Sequence, residues 1–395
     1  MSESYFDTMD KSLCCGCRAC ENICVINAIT MQEDDEGFLY PAINSLTCVN
    51  CGQCRTVCPI VSRPLLNNVG DVYALQYKDN DKLINSSSGG VFIGITEKFI
   101  DQNGVVFGCV LDENNKAVII ETKEKNTVQM MQGSKYVSSD TKRTYTRVKE
   151  LLEKGEMVFY SGAPCQIAGL KKFLKKDYCN LFTMDFLCHG MPARNIFGEN
   201  IKFLEKKYNG SITNYRFRDK SLKGWGHVSS FYVNNKKKYE PGQLNAYFYG
   251  FIKKYLNRYS CYACSFRGQK RVADITVGDF WGYFDENIDV SKGVSFVSLN
   301  TDNGKQIFDR FIADDFKVNK SDVYRVAEMN SSILYEEKDQ IPDIRRKIYK
   351  DLKEKGYKKV REMYLIPKNY FIKKIINTLP SGVRDRIVSL YRRKK

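Results

Sequence analysis

Apolar residues along this chain fall into two kinds of run, and their alternation sets out an architecture. Short runs rich in β-branched and aromatic residues predict strands at Val72–Gln76, Val105–Leu111, Ala117–Thr122, Met157–Tyr160, Leu181–Phe186, Ile212–Arg218, Val228–Val233 and Val294–Asn300. Residues Asp112 to Asn115 supply a turn between the second and third of these. Helical spacing predicts helices from Val91 through Ile100, over Thr141–Glu156, up to Leu174 and over Gly304–Ile312. Strand, tight loop and helix follow one another twice, after Met157–Tyr160 and after Leu181–Phe186, which is α/β organisation. The stretch Ile60–Asp71, with Pro64, Asn67, Asn68 and Gly70, reads as a linker. No run approaches 18 apolar residues, so no transmembrane helix is predicted.

The far end carries a different pattern. Phe371, Ile372, Ile375, Ile376 and Leu379 share one helical face, and Pro380-Ser381-Gly382 breaks the helix. Val383, Ile387, Leu390 and Tyr391 repeat the stripe, opposed by Arg384, Arg386, Arg392 and Arg393. Two readings stay open: docking on the protein's own core, or peripheral contact with an anionic membrane surface. The second would suit an enzyme of lipid-linked intermediates such as those of surface-polysaccharide assembly, although no motif requires it. Charge locates this segment too. The net charge is +16, yet residues 343–395 hold 18 Lys and Arg against 5 Asp and Glu, while the rest hold 44 against 41. The basic character belongs to the tail, so no nucleic-acid partner is expected. Met1–Leu13 has Glu3, Asp7 and Asp10 and no apolar core, so it is not read as a signal peptide.

Cysteines carry the chemistry. Of 15, eight form two runs of identical C-x2-C-x2-C-x3-C spacing: Cys14, Cys17, Cys20, Cys24, and Cys48, Cys51, Cys54, Cys58. Soft thiolates at such short steps suit iron–sulfur cubanes. Zinc prefers two separated pairs, and neither zinc nor disulfides explain two matching runs. In ferredoxins with two such runs the fourth cysteine crosses to the other cluster. One [4Fe–4S] cluster is therefore expected on Cys14, Cys17, Cys20 and Cys58, and a second on Cys48, Cys51, Cys54 and Cys24. Residues 1–63 resemble the bacterial two-cluster ferredoxin domain, with Val25 in place of the proline that usually follows the fourth cysteine. Cys15 reads as a bystander. Cysteine in cluster spacing argues for a reducing, cytoplasmic setting.

Two loops hold further candidates. Ser86-Ser87-Ser88-Gly89-Gly90 precedes a helix, where free N–H groups suit a phosphate, and where a structural loop with a helix cap is an equal reading. Lys135 beside Tyr136 is either a surface pair or a cation set against a phosphate or an anionic ring. Neither G-x-G-x-x-G nor G-x4-G-K-S/T occurs.

GAPCQIAGLKKFL, CHGMP, RFRDK with the following GW, CYAC, DITVGDFWG, SSSGGVF, GSKYV and KGVSFVSLNT together give residues 70–330 a resemblance to the family of coenzyme F420 hydrogenase/dehydrogenase beta subunits. The resemblance implies an FAD-binding domain with one [4Fe–4S] cluster, passing electrons between a two-electron carrier and iron–sulfur proteins. Archaeal members use coenzyme F420; a plant relative reduces a chlorophyll derivative with ferredoxin. It also implies that Ser88, Gly89, Gly90, Lys135 and Tyr136 lie at the flavin, with Asp279 and Trp281 on the approach. Four further cysteines fall inside the motifs, Cys165, Cys188, Cys261 and Cys264, the number a third cubane needs. A zinc ion on the Cys261–Cys264 pair, or a redox thiol at Cys165, are the alternatives. Cys109, in an apolar strand, reads as core. With only two histidines, His189 and His227, acid–base chemistry is not the theme.

The expected fold is thus an α+β ferredoxin-like two-cluster domain (1–63), an α/β flavin-binding domain (70–330) and a basic helical C-terminal tail (331–395). The expected function is an iron–sulfur flavoprotein oxidoreductase joining hydride chemistry to single-electron transfer. The other reading is an electron-transfer subunit that serves a partner enzyme. Partners would be ferredoxin or another redox protein, together with a small-molecule acceptor or donor.

Overall fold

A computed structural model describes residues 4–335, 338–367 and 369–378. The amino-terminal segment folds around an antiparallel hairpin of β1 (Ile29–Glu33) and β2 (Leu39–Ile43). There follow β3 (Val72–Tyr77), α1 (Val91–Asp101), β4 (Val105–Leu111), β5 (Ala117–Thr122), α2 (Thr144–Glu153) and β6 (Val158–Ser161). Next come α3 (Pro164–Leu174), β7 (Leu181–Phe186) and α4 (Arg194–Tyr208). A small antiparallel sheet of β8 (Thr213–Arg216), β9 (Val228–Val233) and β10 (Lys236–Pro241) leads into α5 (Ala246–Ile252). The chain then forms β11 (Ile275–Asp279), β12 (Ser295–Leu299), β13 (Phe316–Ser321), α6 (Asp343–Val360) and α7 (Tyr370–Thr378).

Eight strands make the main sheet, in the order β13-β3-β12-β11-β7-β6-β4-β5. Its middle four, β11, β7, β6 and β4, are parallel, and the outer pairings are antiparallel. The unbroken apolar runs of β4, β6 and β7 follow from burial on both faces. Val105, Phe107, Val158 and Tyr160 pack with Tyr145, Ile167 and Phe173 under α2 and α3. The alternate residues Val106, Phe159 and Phe182 pack with Ile93, Phe99 and Phe311 on the α1 side. All four parallel strands end on one edge, where the segments after Ser161, Phe186 and Asp279 emerge. In open α/β sheets this is the edge that collects ligands.

Strand and helix expectations hold along β3 to β7; they miss the central strand β11 and two edge strands. β10 (KKKYEP) and β13 (FKVNKS) have no apolar run, because each pairs on one side only. An edge strand needs its backbone bonds and little else, and lysines suit its open side.

Core packing runs across the expected domain boundaries. The ferredoxin-like segment shares its cores with the rest of the chain. Cys17, Ala19 and Val57 pack with Tyr145 and Phe173, and Tyr5, Phe38 and Tyr40 with Phe197 and Tyr349. Nor do residues 343–365 form a separate tail. Ile348, Tyr349, Tyr357, Val360 and Leu365 are core. Arg345, fully buried, grips the Glu36 carboxylate through both terminal nitrogens at 2.9 and 2.5 Å. Its Nε donates to the Asn257 carbonyl at 2.8 Å. A basic count hid this, since the lysines of α6 face water while its tyrosines and Arg345 face inward. Phe371 and Ile372 of α7 are exposed; Leu379 and the second stripe, Val383 to Tyr391, lie outside the described residues. No helix among the described residues is long and apolar enough to cross a membrane.

Candidate redox sites

Cys14, Cys17 and Cys20 of the first run and Cys58 of the second line one pocket of about 390 Å³, beside Tyr5, Phe6 and Pro59. This is the crossed set that the spacing predicts. Burial pushes the Cys14 and Cys20 thiols up and Cys58 to about 11. Ligation needs thiolates, so loading this site releases protons. Cys24, Cys48 and Cys54 are half-buried and Cys51 is exposed, so the second set lies nearer solvent. Cys24 Sγ accepts the Ala28 N–H at 3.2 Å.

The other four cysteines also converge. Cys165 follows β6 on the first turn of α3, Cys188 follows β7, and Cys261 and Cys264 come from the short helix Tyr259–Tyr262 and the turn after it. All four line one partly open cavity. Among the described residues, no three His, Cys, Asp or Glu side chains are grouped so that they could hold a metal ion. Burial pushes Cys188 to about 11 and Cys261 to about 12. Cys15, read as a bystander between ligands, lines this cavity and the ferredoxin-type pocket alike. A hydrogen bond between Cys15 and Cys165 pulls the Cys15 thiol down and pushes Cys165 up.

A third space, a cleft of about 1460 Å³ open to solvent, lies at the same sheet edge. Of the residues expected at the flavin, Ser88, Gly90, Lys135, Tyr136 and Asp279 line it. Gly89 and Trp281 are not among its lining residues. Gly89 is pressed onto the sheet, its carbonyl accepting the Tyr77 N–H and its own N–H bonding Ser295 Oγ, each at 2.8 Å. Trp281 stacks on Trp225 with ring centroids 4.1 Å apart and 12° between planes.

The two loops are stitched into one wall: Ser134 N–H donates to Ser87 Oγ at 2.8 Å, and Gln132 Nε2 to Ser86 Oγ at 2.6 Å. The ammonium of Lys135 is taken up by the carbonyls of Met130, Met131 and Gln132, at the end of the helix Lys125–Met131. Burial lowers it to about 8. Tyr136 stacks on Phe251 at 4.7 Å and 21°. His189 also lines the cleft, and burial lowers its pKa, so the imidazole is neutral at pH 7.

Residues missed from the sequence make up much of the site. Arg218, in RFRDK, is 5% exposed, bonds Asp279 Oδ2 at 2.5 Å and the Gly226 carbonyl at 3.0 Å, and lines the cleft. Its Nη2 is buried with no hydrogen-bond partner. An arginine inside an apolar strand end was the available signal, and its pairing with a residue 61 positions on was not. Cys109, expected in the core, lines the cleft. Cleft and cavity share Leu187, Cys188, Gly190 and Met191 as a common wall.

Crossed four-cysteine runs beside a cleft at an α/β sheet edge define an iron–sulfur protein of the electron-transfer class. Residues 13–61 match the family model described as the 4Fe-4S dicluster domain. Residues 155–322 match the model for the C terminus of the coenzyme F420 hydrogenase/dehydrogenase beta subunit. The chain is 25% identical over 178 residues to the F subunit of the F(420)H(2) dehydrogenase of Methanosarcina mazei, covering 42% of this chain and 50% of that one. It is 25% identical over 192 residues to the coenzyme F420-dependent sulfite reductase of Methanocaldococcus jannaschii, covering 48% and 29%. The matches therefore span half or less of these two relatives. A chain of the F420-reducing [NiFe] hydrogenase complex from Methanosarcina barkeri superposes with a TM-score of 0.43 at 17% identity, over 78% of this chain and 96% of that one.

Proposed function

We propose that the protein is an iron–sulfur flavoprotein oxidoreductase. Two [4Fe–4S] clusters sit on Cys14, Cys17, Cys20, Cys58 and on Cys24, Cys48, Cys51, Cys54. A third sits on Cys165, Cys188, Cys261, Cys264, and FAD lies in the cleft. The observation that carries this reading is adjacency: the cleft shares a wall with the four-cysteine cavity, and that cavity shares Cys15 with the ferredoxin-type pocket. When bound, the flavin supplies the exchange between an electron pair and single electrons.

The chain's own residues bind and shield. α1 and α3 both begin on the cleft, and helix starts favour phosphates. The unpartnered Nη2 of Arg218 offers a donor to an anionic group, while Asp279 fixes the guanidinium. Tyr136 and Phe251 give a flat apolar wall. Leu187 to Met191 keep water out of the boundary with the cavity. A hydride carrier of the coenzyme F420 kind, the word both relatives' names carry, is the proposed organic partner, and ferredoxin or another redox protein the one-electron partner. A surface-polysaccharide intermediate has support only from the basic tail.

A second reading, an electron-transfer subunit that serves a partner enzyme, is favoured by the word subunit in the first relative's name. Anaerobically reconstituted protein is expected to hold about twelve irons per chain and to release FAD on denaturation. Replacing Cys261 by serine should lower iron toward about eight while the flavin stays. About eight irons in the unmodified protein would remove the third cluster. Turnover of coenzyme F420 with reduced ferredoxin supports the enzyme; a fully loaded protein without turnover supports the electron-transfer role.

A further inference from the structure

Among the described residues four arginines are buried: Arg218, Arg258, Arg271 and Arg345. Three face a carboxylate, namely Asp279, Asp185 and Glu36. Arg258, 4% exposed, has no carboxylate at ion-pair distance among the described residues. Its Nε donates to the Cys14 carbonyl at 2.6 Å, and its Nη2 to the Leu39 carbonyl at 2.8 Å. That same Nη2 lies 3.4 Å from Cys14 Sγ. The guanidinium stacks over Tyr40, 3.9 Å from the ring centroid. Carbonyls and a ring face solvate a cation but do not neutralise it, and a buried charge without a counter-charge is costly. The chain makes room for it: Gly16, at φ +71°, would place a Cβ 3.0 Å from Nη1. What this cation faces is the pocket lined by Cys14, Cys15, Cys17, Cys20 and Cys58.

We propose that Arg258 is the counter-ion of the cluster held by Cys14, Cys17, Cys20 and Cys58, and that it raises that cluster's reduction potential. The inference rests on the cluster assignment of the proposed function. Four thiolates make the bound cubane an anion, and reduction adds one more negative charge. A fixed cation with an N–H donated to a ligand sulfur stabilises the reduced form more than the oxidised form. Arg258 lies three residues before Cys261, so the loop that supplies the third site also sets the electrostatics of this one.

The test is an EPR-monitored redox titration of the full-length, anaerobically reconstituted protein as wild type, Arg258→Gln and Arg258→Lys. Arg258→Gln is expected to move one cluster wave to lower potential by at least a tenfold change in the one-electron equilibrium, about 59 mV. The other waves should stay in place, and Arg258→Lys should restore most of the shift. Full iron with every wave unmoved in Arg258→Gln overturns the proposal. So does Arg258→Lys moving as far as Arg258→Gln, which would make the effect one of packing. If Arg258→Gln cannot retain its irons, Arg258→Lys decides: a wave near the wild-type potential supports the proposal, and a full tenfold shift overturns it. Failure of the cluster assignment itself shows earlier, as wild-type protein holding fewer than about eight irons.

Discussion

Lys220 shows at single-residue scale how the cleft is held open. It is 3% exposed, and its Nζ donates to the carbonyls of Leu83, Ser88 and Lys292, tying the serine–glycine loop to the turn before β12. Burial, and then the neighbouring Arg218, lower its pKa from the ordinary 10.5 to about 7, while the Asp279 carboxylate pulls the other way. The folded state therefore gives up this proton near pH 7, and the unfolded state only near 10.5. Between the two the unfolded chain binds more protons, so stability rises with pH across that window. Lys220→Met, which strands three carbonyls, is expected to cost about 2–4 kcal/mol at neutral pH. The wild-type advantage should widen from pH 7 toward 10. Chemical denaturation followed by tryptophan fluorescence measures both, and an advantage that narrows with pH would refute the linkage.

At the scale of elements, α3 is the bridge. It starts on the cleft, presents Cys165 to the cavity, and runs against the ferredoxin-type segment. Its contact depends on Gly169, where a Cβ would lie 2.8 Å from Cys17 Sγ and 3.1 Å from Tyr145 Oη. Gly169→Val should push the helix off Cys17 and remove about four irons per chain while FAD remains. Gly198, in α4, has nothing within 4 Å of such a Cβ. Gly198→Ala should therefore stabilise the protein by about 0.5–1 kcal/mol through helix propensity alone. Iron analysis and thermal unfolding of the two variants check the contrast. Equal iron in both would mean that α3 can shift without disturbing the pocket.

For the whole molecule, integration is the consequence to test. A chain beginning at residue 64 would bare the surfaces now covered by Tyr5, Phe38 and Tyr40 on one side and by Cys17, Ala19 and Val57 on the other. It is expected to lose near-ultraviolet dichroism and to bind a hydrophobic dye, the marks of lost packing. A cooperative, flavin-retaining fragment would instead restore the picture of separable domains. The same integration accounts for Arg345: a residue near the end of the chain closes the hairpin near its beginning through Glu36.

Local signals carried much of this into the sequence. The strands β4, β6 and β7 were legible because buried parallel strands are continuous apolar runs, and the pocket shared by Cys14, Cys17, Cys20 and Cys58 because their spacing matches the crossed runs of a dicluster domain. The wall residues Ser88, Gly90, Lys135, Tyr136 and Asp279 were legible only through the family's motifs. Tertiary structure decided the rest, since those facts are distances between residues far apart in the chain. Four single cysteines share a cavity because β6 and β7 end on one edge. Cys15 became a shared wall because two sites were folded against it. Lys135 turned its charge to a helix end, and Arg258, with no carboxylate at ion-pair distance among the described residues, was turned toward Cys14 Sγ. Composition counts charges and thiols, but their partners are assigned by packing.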